Sequence, residues 1–207
     1  MFAGAIILVA AAGYLLGNLN GAILISRWML REDVRTHGSG NAGLTNFFRS
    51  YGGIRTLMVL FIDVAKTAAA CLLGAWLLGR FGYGQLGKML GGAFTVLGHL
   101  FPVFFQFRGG KGVLCSATLA GMMDWRILVV LLAVFILAVA LTRYVSLGSC
   151  LGAAGYVPAF AWRFPGDWPV LGIALVLALA ALVMHRKNIR RILKGEESRL
   201  SFRHDKT

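Results

Sequence analysis

The sequence predicts an all-α integral membrane protein. Its 207 residues are 58% hydrophobic and only 14% charged, and the charges fall in short clusters between long apolar stretches. The first such stretch, Phe2–Ser26, has no charged side chain, and a helix needs about 20 apolar residues to cross a bilayer. Because it is long and lacks a basic start, we expect a retained helix and not a cleaved signal peptide.

The charged clusters divide the chain into seven apolar segments, predicted as seven transmembrane helices: Phe2–Ser26, Thr56–Gly79, Met89–Phe107, Gly112–Met123, Ile127–Thr142, Tyr144–Trp162 and Pro169–Met184. The fourth segment is too short for a full crossing, since it reaches about 18 Å as a helix against a core of about 30 Å. We therefore expect a short or half helix after the Gly109-Gly110-Lys111-Gly112 loop. The alternative, one span from Val113 to Thr142, would place Asp124 and Arg126 inside the membrane.

The basic residues predict the orientation. Seven crossings with the N-terminus outside and the C-terminus in the cytoplasm leave four basic residues on the outer face: Arg80, Lys88, Arg126 and Arg163. The other loop and tail cations then lie inside, as the positive-inside rule requires. Topology and anion contacts explain the net charge of +13, so we expect no nucleic-acid partner. The chain is predicted to be one domain, 1–207, with 185–207 as a basic cytoplasmic tail.

Four polar clusters rich in small residues then fall at the cytoplasmic face: His37–Arg49, Arg108–Gly112, Arg143–Ser149 and His185–Asn188. The first contains three glycines, whose backbone can approach a ligand closely and whose N–H groups can form an anion nest. Arg49 would add a two-pronged contact to phosphate or carboxylate. Ordinary basic loops need no such glycines, so the four clusters predict one anion-binding site at this face.

The glycine loop around Lys111 is not a P-loop, because the glycine spacing and the following Ser or Thr are absent. Its lysine and N–H groups, placed before a helix, still suit a phosphate. In the second span, Asp63 and Lys66 lie one helical turn apart and either neutralise each other or contact a substrate. His185 and Asn188 would share one face of a helix.

Other polar residues give weaker signals. Ser39, Ser146 and Ser149 are nucleophiles or, more commonly for such residues, hydrogen-bond donors. His99, alone near the inner end of the third span, is interpreted as a packing or hydrogen-bonding residue. The carboxylates do not cluster as a divalent metal requires. The cysteines lie in apolar stretches without metal-site spacing and are interpreted as small buried hydrophobes: Cys71, Cys115 and Cys150.

Taken in order, these motifs resemble the integral-membrane acyl-phosphate:glycerol-3-phosphate acyltransferases of bacteria, the PlsY family. The resemblance covers nearly the whole chain and rests on several stretches: Asp33–Arg35, Gly38–Asn46, Arg49, Asp63, Lys66, Gly98–Pro102, Phe107–Val113, Arg143–Ser149, His185–Ile189 and Gly195–Glu196. Any one motif would be weak evidence of kinship. Their common order and spacing make the resemblance specific.

The resemblance implies seven transmembrane helices in the bacterial cell (inner) membrane and an active site open to the cytoplasm. The implied reaction moves a fatty acyl group from acyl phosphate to the 1-hydroxyl of glycerol-3-phosphate, giving lysophosphatidic acid and phosphate in phospholipid biosynthesis. No cofactor, metal, acyl-CoA or acyl carrier protein is implied. The implied partners are the two substrates, the lipid bilayer and, by contact, the enzyme that produces acyl phosphate.

Carried over position by position, the resemblance implies three catalytic residues: Ser39, His185 and Asn188. It implies a larger set for substrate and phosphate binding: Gly38, Gly40, Asn41, Thr45, Asn46, Arg49, Gly110, Lys111, Ser149 and Glu196. Because acyl phosphate is already activated, we hypothesise direct transfer, in which a substrate phosphate oxygen takes the hydroxyl proton. No covalent acyl-enzyme is expected.

The chain departs from the family pattern at a few positions: Leu44, Leu114-Cys115, Thr67, and Asn18-Leu19-Asn20 in place of Ser-Ile-Pro. These changes affect helix packing or the acyl pocket and remove no charged member of the site. The main rival function is a transporter or channel for a phosphorylated anion, which also uses glycine breaks and a short helix. A third is a non-catalytic membrane protein with a lipid-binding basic tail.

Overall fold

The computed structural model describes residues 1–200, and over these residues the protein is all-helical without a strand. The α-helices are α1 Phe2–Asn18, α2 Gly21–Met29, α3 Leu44–Tyr51, α4 Arg55–Gly79, α5 Gly84–Leu100, α6 Val113–Met123, α7 Trp125–Thr142, α8 Val145–Arg163, α9 Trp168–Met184 and α10 Arg186–Leu193, with 3-10 turns at Val34–Thr36 and Val103–Phe105. Each of the seven predicted apolar segments contains a helix. The all-α prediction is therefore confirmed.

Four helical stretches are individually long and apolar enough to cross a membrane: α4, α5 with the 3-10 turn after it, α7 and α8. The pairs α1 with α2 and α9 with α10 also qualify, but they are bent by 41° and 54°. Helix α6 has only 11 residues, as expected of a short helix after the glycine loop. The number of seven crossings and their orientation stay predictions.

Contacts between helix ends fix the direction of each helix. Three contacts define one end of the bundle, here called the distal end: Phe2 with Phe81, Gln85 with Asp167, and Asp124 with Arg163. The opposite end, called the basic end, carries residues 30–54, 101–112, 143–144 and 185–200. Successive apolar segments therefore run in alternating directions, and all four predicted polar clusters lie at the basic end.

The shortness of α6 creates a recess at the basic end. Helices α6 and α7 meet at Asp124, whose side chain accepts a hydrogen bond from the Arg126 N–H at 2.8 Å and so caps α7. The chain therefore does not continue as one helix from Val113 to Thr142. From Asp124, α6 extends about 16 Å and α7 about 27 Å towards the basic end. The first residue of α6 therefore lies about 10 Å deeper in the bundle than the last residue of α7. The loop that carries Lys111 lies in this recess.

The first predicted span is a broken helix. Its two parts, α1 and α2, are separated around Asn18 and Asn20, whose side chains bond to other segments. The Asn18 side chain accepts a hydrogen bond from the Phe104 N–H at 3.2 Å. The Asn20 side chain caps α2 by accepting from the Ile23 N–H at 3.1 Å, and it donates to the Ala42 carbonyl at 3.0 Å. The departure from the family pattern here thus supplies the polar side chains that stabilise the break.

Helices α1, α4 and α5 form a group that packs backbone against backbone. A Cβ atom on Gly74 would strike the Gly87 carbonyl oxygen, and one on Gly98 would strike that of Tyr14. Small residues of this kind are what helices in lipid use to approach closely. Helices α7, α8 and α9 form a second group, and α6 lies between the two and contacts α4, α5 and α7.

Candidate active site

A cavity of about 670 Å³ lies in the recess at the basic end. The part of the cavity nearest the basic end is lined by polar and basic residues of α3, the glycine loops and the segment after α9. Its lower part passes between α7, α8 and α9, where the lining is apolar and includes Leu131, Phe135, Tyr156 and Leu177. One cavity thus joins a polar, basic chamber to an apolar channel between helices.

Most of the residues predicted from the sequence line this cavity: Ser39, His185, Asn188, Gly38, Asn41, Thr45, Asn46, Arg49, Lys111 and Ser149. They come from segments far apart in the chain, and the fold brings them together at the basic end. Three predicted residues do not line the cavity: Gly40, Gly110 and Glu196. The departure residues Leu44 and Leu114 also line it, so they shape the cavity itself.

The glycine-rich loop is organised by Asn46. Its Oδ1 atom accepts hydrogen bonds from the Ser39 N–H at 2.8 Å and from the Ser39 hydroxyl at 3.1 Å. Its Nδ2 atom donates to the carbonyls of Val34 and His37. Gly38 has a φ of +55°, and a Cβ atom there would strike Asn46 Oδ1. Glycine is therefore required at position 38, both for the backbone and for the side chain that holds Ser39.

Helix α3 contributes the next part of the wall. Its first residues, Leu44 and Thr45, line the cavity, and one turn further Arg49 does so as well. The Arg49 guanidinium donates to the Ser198 carbonyl at 3.1 Å, which ties α3 to the segment after α10. Helix N-termini and guanidinium groups both favour anions. This wall therefore presents positive potential to the cavity.

Lys111 begins a chain of hydrogen bonds, here called the Lys111 chain. The Lys111 ammonium donates to Asn188 Oδ1 at 2.5 Å, and Asn188 Nδ2 donates to Glu197 Oε1 at 2.7 Å. The same oxygen accepts from the Ser146 hydroxyl at 2.7 Å, while Arg191 Nε donates to Glu197 Oε2 at 2.7 Å. The lysine and the carboxylate are thus linked through an amide and do not touch.

The electrostatics of the Lys111 chain favour an anion in the cavity. Burial lowers the pKa of Lys111 to about 8, against the opposing attraction of the Glu197 carboxylate. Burial raises the pKa of Glu197, but hydrogen bonds from Arg191, Asn188 and Ser146 outweigh it and hold the pKa below its usual value. An anion beside Lys111 would supply the stabilisation that its partly buried ammonium lacks.

His185 and Asn188 lie at the junction of α9 and α10, and both line the cavity as their predicted common face requires. His185 Nδ1 lies 2.8 Å from the Ala181 carbonyl oxygen. A carbonyl only accepts, so Nδ1 carries the proton and Nε2 of the neutral ring is an acceptor. The Ser149 hydroxyl donates to the Val145 carbonyl at 3.0 Å.

The predicted residues that miss the cavity have other positions. Gly110 supports the lysine loop: its N–H donates to the His99 carbonyl at 3.1 Å, and a Cβ atom there would strike His99 Nε2. The Gly40 N–H donates to the His37 carbonyl within a turn. Glu196 is exposed, and the neighbouring Glu197 lines the cavity in its place. A binding role for Glu196 stays a prediction.

Asp63 and Lys66 form the ion pair that their spacing predicted. Lys66 Nζ lies 2.6 Å from Asp63 Oδ1, and only 2% and 1% of the two side chains are exposed. The ammonium also donates to His99 Nδ1 at 3.0 Å and to the Leu19 carbonyl at 2.9 Å. These groups are called the Lys66 cluster. His99 is its unpredicted third member, because it comes from another helix.

The described residues include one group with the side chains of a metal site. Ligand atoms of Asp63, His99 and Cys115 all lie within 4.8 Å of one another. The ammonium of Lys66 already lies within hydrogen-bond distance of the aspartate and the histidine, and its positive charge opposes a metal cation there. The expectation that the protein uses no metal stays a prediction.

The sequence model of the family described as glycerol-3-phosphate acyltransferase matches residues 7–195. The glycerol-3-phosphate acyltransferase of Desulforudis audaxviator is 42% identical over 203 residues, which cover 98% of this chain and 100% of that protein. The glycerol-3-phosphate acyltransferase of Thermoanaerobacter pseudethanolicus is 37% identical over 196 residues, which cover 94% of this chain and 95% of that protein.

Two crystal structures of PlsY (YgiH), an integral membrane glycerol 3-phosphate acyltransferase, have the same fold. The glycerol 3-phosphate form has a TM-score of 0.84 and 29% identity and covers 95% of this chain and 96% of that one. The lysophosphatidic acid form has a TM-score of 0.79 and 30% identity, with 95% of each chain covered. The chain therefore belongs to the PlsY-type glycerol-3-phosphate acyltransferase family and is an integral membrane acyltransferase of phospholipid biosynthesis.

Proposed function

We propose that this protein transfers a fatty acyl group from acyl phosphate to the 1-hydroxyl of glycerol-3-phosphate, giving lysophosphatidic acid and inorganic phosphate. The observation that carries the proposal is the cavity, which joins a basic chamber to an apolar channel. Such a cavity suits an anionic head group on a long apolar tail. The relatives named glycerol-3-phosphate acyltransferase, and the PlsY structures in glycerol 3-phosphate and lysophosphatidic acid forms, support the same substrates.

The proposed membrane arrangement has seven crossings, with the N-terminus outside and the basic end in the cytoplasm of a bacterial cell (inner) membrane. The alternating directions of the apolar segments support it, as does the excess of arginine and lysine at the basic end. The chain is proposed to act as one domain, 1–207, with 185–207 as its basic tail. Residues 201–207 of that tail lie outside the described residues.

The basic chamber is proposed to hold the phosphate groups of both substrates. The ammonium of Lys111 and the guanidinium of Arg49 line it, together with the N-terminus of α3 and the loop around Ser39. Both substrates are anionic, so these groups would position them and offset their mutual repulsion. The hydroxyls of Thr45 and Ser149 would complete the set. The acyl chain would extend into the apolar channel between α7, α8 and α9.

The proposed chemical step is a direct transfer. The 1-hydroxyl oxygen of glycerol-3-phosphate forms a bond to the acyl carbonyl carbon, and the bond from that carbon to the phosphate oxygen breaks. The hydroxyl proton passes to a substrate phosphate oxygen. Ser39, His185 and Asn188 would orient the reacting groups. The acceptor that the Ser39 hydroxyl contacts is the amide oxygen of Asn46 and not a basic group, which supports a serine that orients and does not attack.

The proposal is tested with purified protein in detergent, given acyl phosphate and glycerol-3-phosphate without added metal. We expect lysophosphatidic acid and phosphate in equal amounts, and an activity at least about 100-fold lower for Lys111→Ala, because one preorganised charge is removed. Lys187→Ala is the matched control, since Lys187 is an exposed lysine of α10 outside the cavity. If the two variants were equally active, Lys111 would have no role in the reaction. Absence of product from the intact protein would overturn the proposed reaction.

Two further measurements separate the alternatives. Rapid-quench mass spectrometry of the working enzyme should detect no acyl group on Ser39, and a retained acyl-serine would contradict direct transfer.

Uptake of labelled phosphate into reconstituted vesicles should be absent. Along α8 towards the distal end, the cavity-lining Tyr156 stacks on Phe160 with ring centroids 4.7 Å apart, and Phe164 follows. Contact with the enzyme that produces acyl phosphate stays a prediction.

A further inference from the structure

The Lys66 ammonium is placed at the break in the first span. Besides Asp63 and His99, it donates to the carbonyls of Leu19 at 2.9 Å and Gly17 at 3.3 Å, which lie at the C-terminal end of α1. The last carbonyls of a helix have no partner within the helix and carry a partial negative charge. In a membrane they have no water to bond to. Lys66 therefore stabilises the open end of α1.

Asp63 stabilises the other side of the break, at the N-terminal end of α2. Its Oδ1 atom accepts a hydrogen bond from the Gly21 N–H at 3.2 Å, at the first residue of α2. The N-terminus of a helix carries a partial positive charge, which a carboxylate complements. The ion pair is thus oriented: its cation faces the end of α1 and its anion faces the start of α2. A pair that only neutralised itself would need no such orientation.

The break in turn holds the glycine-rich loop. Asn20, between the two half-helices, donates to the Ala42 carbonyl at 3.0 Å. Ala42 is fully buried and follows Asn41 in the loop that lines the cavity. The position of Asn20 depends on the break, and the break depends on the ion pair. One route therefore leads from Lys66 to the loop that carries Ser39.

A second route leads from the same pair to the lysine loop. His99 accepts from Lys66 through Nδ1, since an ammonium can only donate. The His99 carbonyl accepts from the Gly110 N–H at 3.1 Å, and the Gly110 backbone packs so closely on the His99 ring that a Cβ atom would strike Nε2. Gly110 immediately precedes Lys111. Both loops of the basic chamber are therefore anchored to the Lys66 cluster.

We propose that Asp63, Lys66 and His99 are positioning residues, which set the two anion-binding loops relative to each other through the broken first span and through Gly110. The proposal rests on the proposed function for its kinetic readout only. Misplacing reacting groups by about 1 Å can cost about 100-fold in rate, so anchors of this kind matter beyond any direct contact. Asp63 and His99 also line the cavity, and loop exchange therefore separates anchoring from direct contact with substrate. The residues act through the loops and are not catalytic.

The test compares two double variants in detergent, each removing one buried or partly buried ion pair. The first is Asp63→Asn with Lys66→Met, which leaves no unpaired charge. The matched control is Asp124→Asn with Arg163→Gln, which removes the distal pair at 2.6 Å. Hydrogen exchange measured by mass spectrometry should become at least about tenfold faster in 38–46 and 108–112 for the first variant only. The apparent Kd for inorganic phosphate and the KM for glycerol-3-phosphate should rise about tenfold with it.

A milder variant keeps the proposal testable if the first one fails to fold. Asn20→Ser retains a capping oxygen for α2 but is too short to reach the Ala42 carbonyl. We expect faster exchange in 38–46 and unchanged exchange in 108–112, because only one route is cut. Unchanged exchange in 38–46 would overturn the proposal, as would unchanged exchange in both loops of a folded Asp63→Asn/Lys66→Met protein. These exchange and phosphate-binding results hold even if the intact protein makes no lysophosphatidic acid, which would contradict the proposed function alone.

Discussion

Two lysines of this protein, the buried Lys66 and the partly buried Lys111, are each linked to a carboxylate, one directly and one through an amide. Lys66 touches Asp63 directly at 2.6 Å, and both side chains are almost wholly enclosed. Lys111 reaches Glu197 only through Asn188, and all three residues line the cavity. The Lys66 ammonium has hydrogen-bond acceptors on several sides. The Lys111 ammonium faces the cavity, and its positive charge is only partly balanced by neighbouring groups. The comparison teaches that a directly paired lysine has its charge met within the fold, while a separated pair keeps a positive charge available for a ligand.

Removing each positive charge should separate these two roles most clearly. Lys66→Met leaves the buried Asp63 carboxylate without its cation, which costs about 3–5 kcal/mol of stability. Lys111→Met should lower kcat/KM about 100- to 1,000-fold, because a charge that stabilises the transition state is lost, and should change stability little. Thermal unfolding in detergent and product formation, measured on the same samples, check both. Comparable loss of stability in the two variants, with activity kept by Lys111→Met, would contradict the distinction.

The carboxylate of the Lys111 chain should have a smaller effect. Glu197→Gln removes the charge that balances Lys111 and replaces one acceptor oxygen, next to Arg191, by a donor. We expect kcat/KM to fall about tenfold, in line with the loss of one charge-assisted hydrogen bond. Glu196→Gln is the neighbouring comparison and should change kcat/KM less than about twofold, because Glu196 is exposed. A larger fall in kcat/KM for Glu196→Gln than for Glu197→Gln would indicate that Glu196, the residue implied by the family resemblance, acts at the site.

The smallest effect should be a pH dependence that only the open lysine shows. The pKa of Lys111 is lowered to about 8 by burial, so its ammonium loses the proton as the pH rises through that value. Phosphate binding needs the protonated form, so the KM for glycerol-3-phosphate should rise above pH 8, by about fourfold at pH 8.5. Lys111→Arg, which keeps its proton throughout, should remove this step. If the rise in KM above pH 8 persists in Lys111→Arg, a group other than Lys111 is titrating.

The sequence predicted those features that depend on neighbouring residues. The apolar segments, the short α6 and the spacing of Asp63 and Lys66 are local, and the structure contains all three. The grouping of Ser39, Lys111 and His185 at one end of the bundle followed from counting the crossings between them. These inferences needed only periodicity, length and charge.

The features that the sequence did not predict depend on distant partners. The break around Asn20 lies between Gly17 and Gly21, but membrane helices tolerate glycine, and the break is stabilised by Ala42 and Lys66 from other segments. The choice of Glu197 over Glu196 is decided by Ser146 and Asn188, which approach from α8 and α10. In each case the competing local conformations are close in energy, and a tertiary hydrogen bond decides between them.

The broken first span also bears on how the protein enters the membrane. During synthesis α1 and α2 emerge before α4 exists, so the carbonyls of Gly17 and Leu19 have no ammonium to bond to. Backbone groups without partners are costly in hydrocarbon, and a continuous helix satisfies them within one segment. We expect the nascent first span to enter as an unbroken helix and to open only when Lys66 arrives beside it. The loop that carries Ser39 would then reach its working position late, as a product of helix assembly within the bilayer.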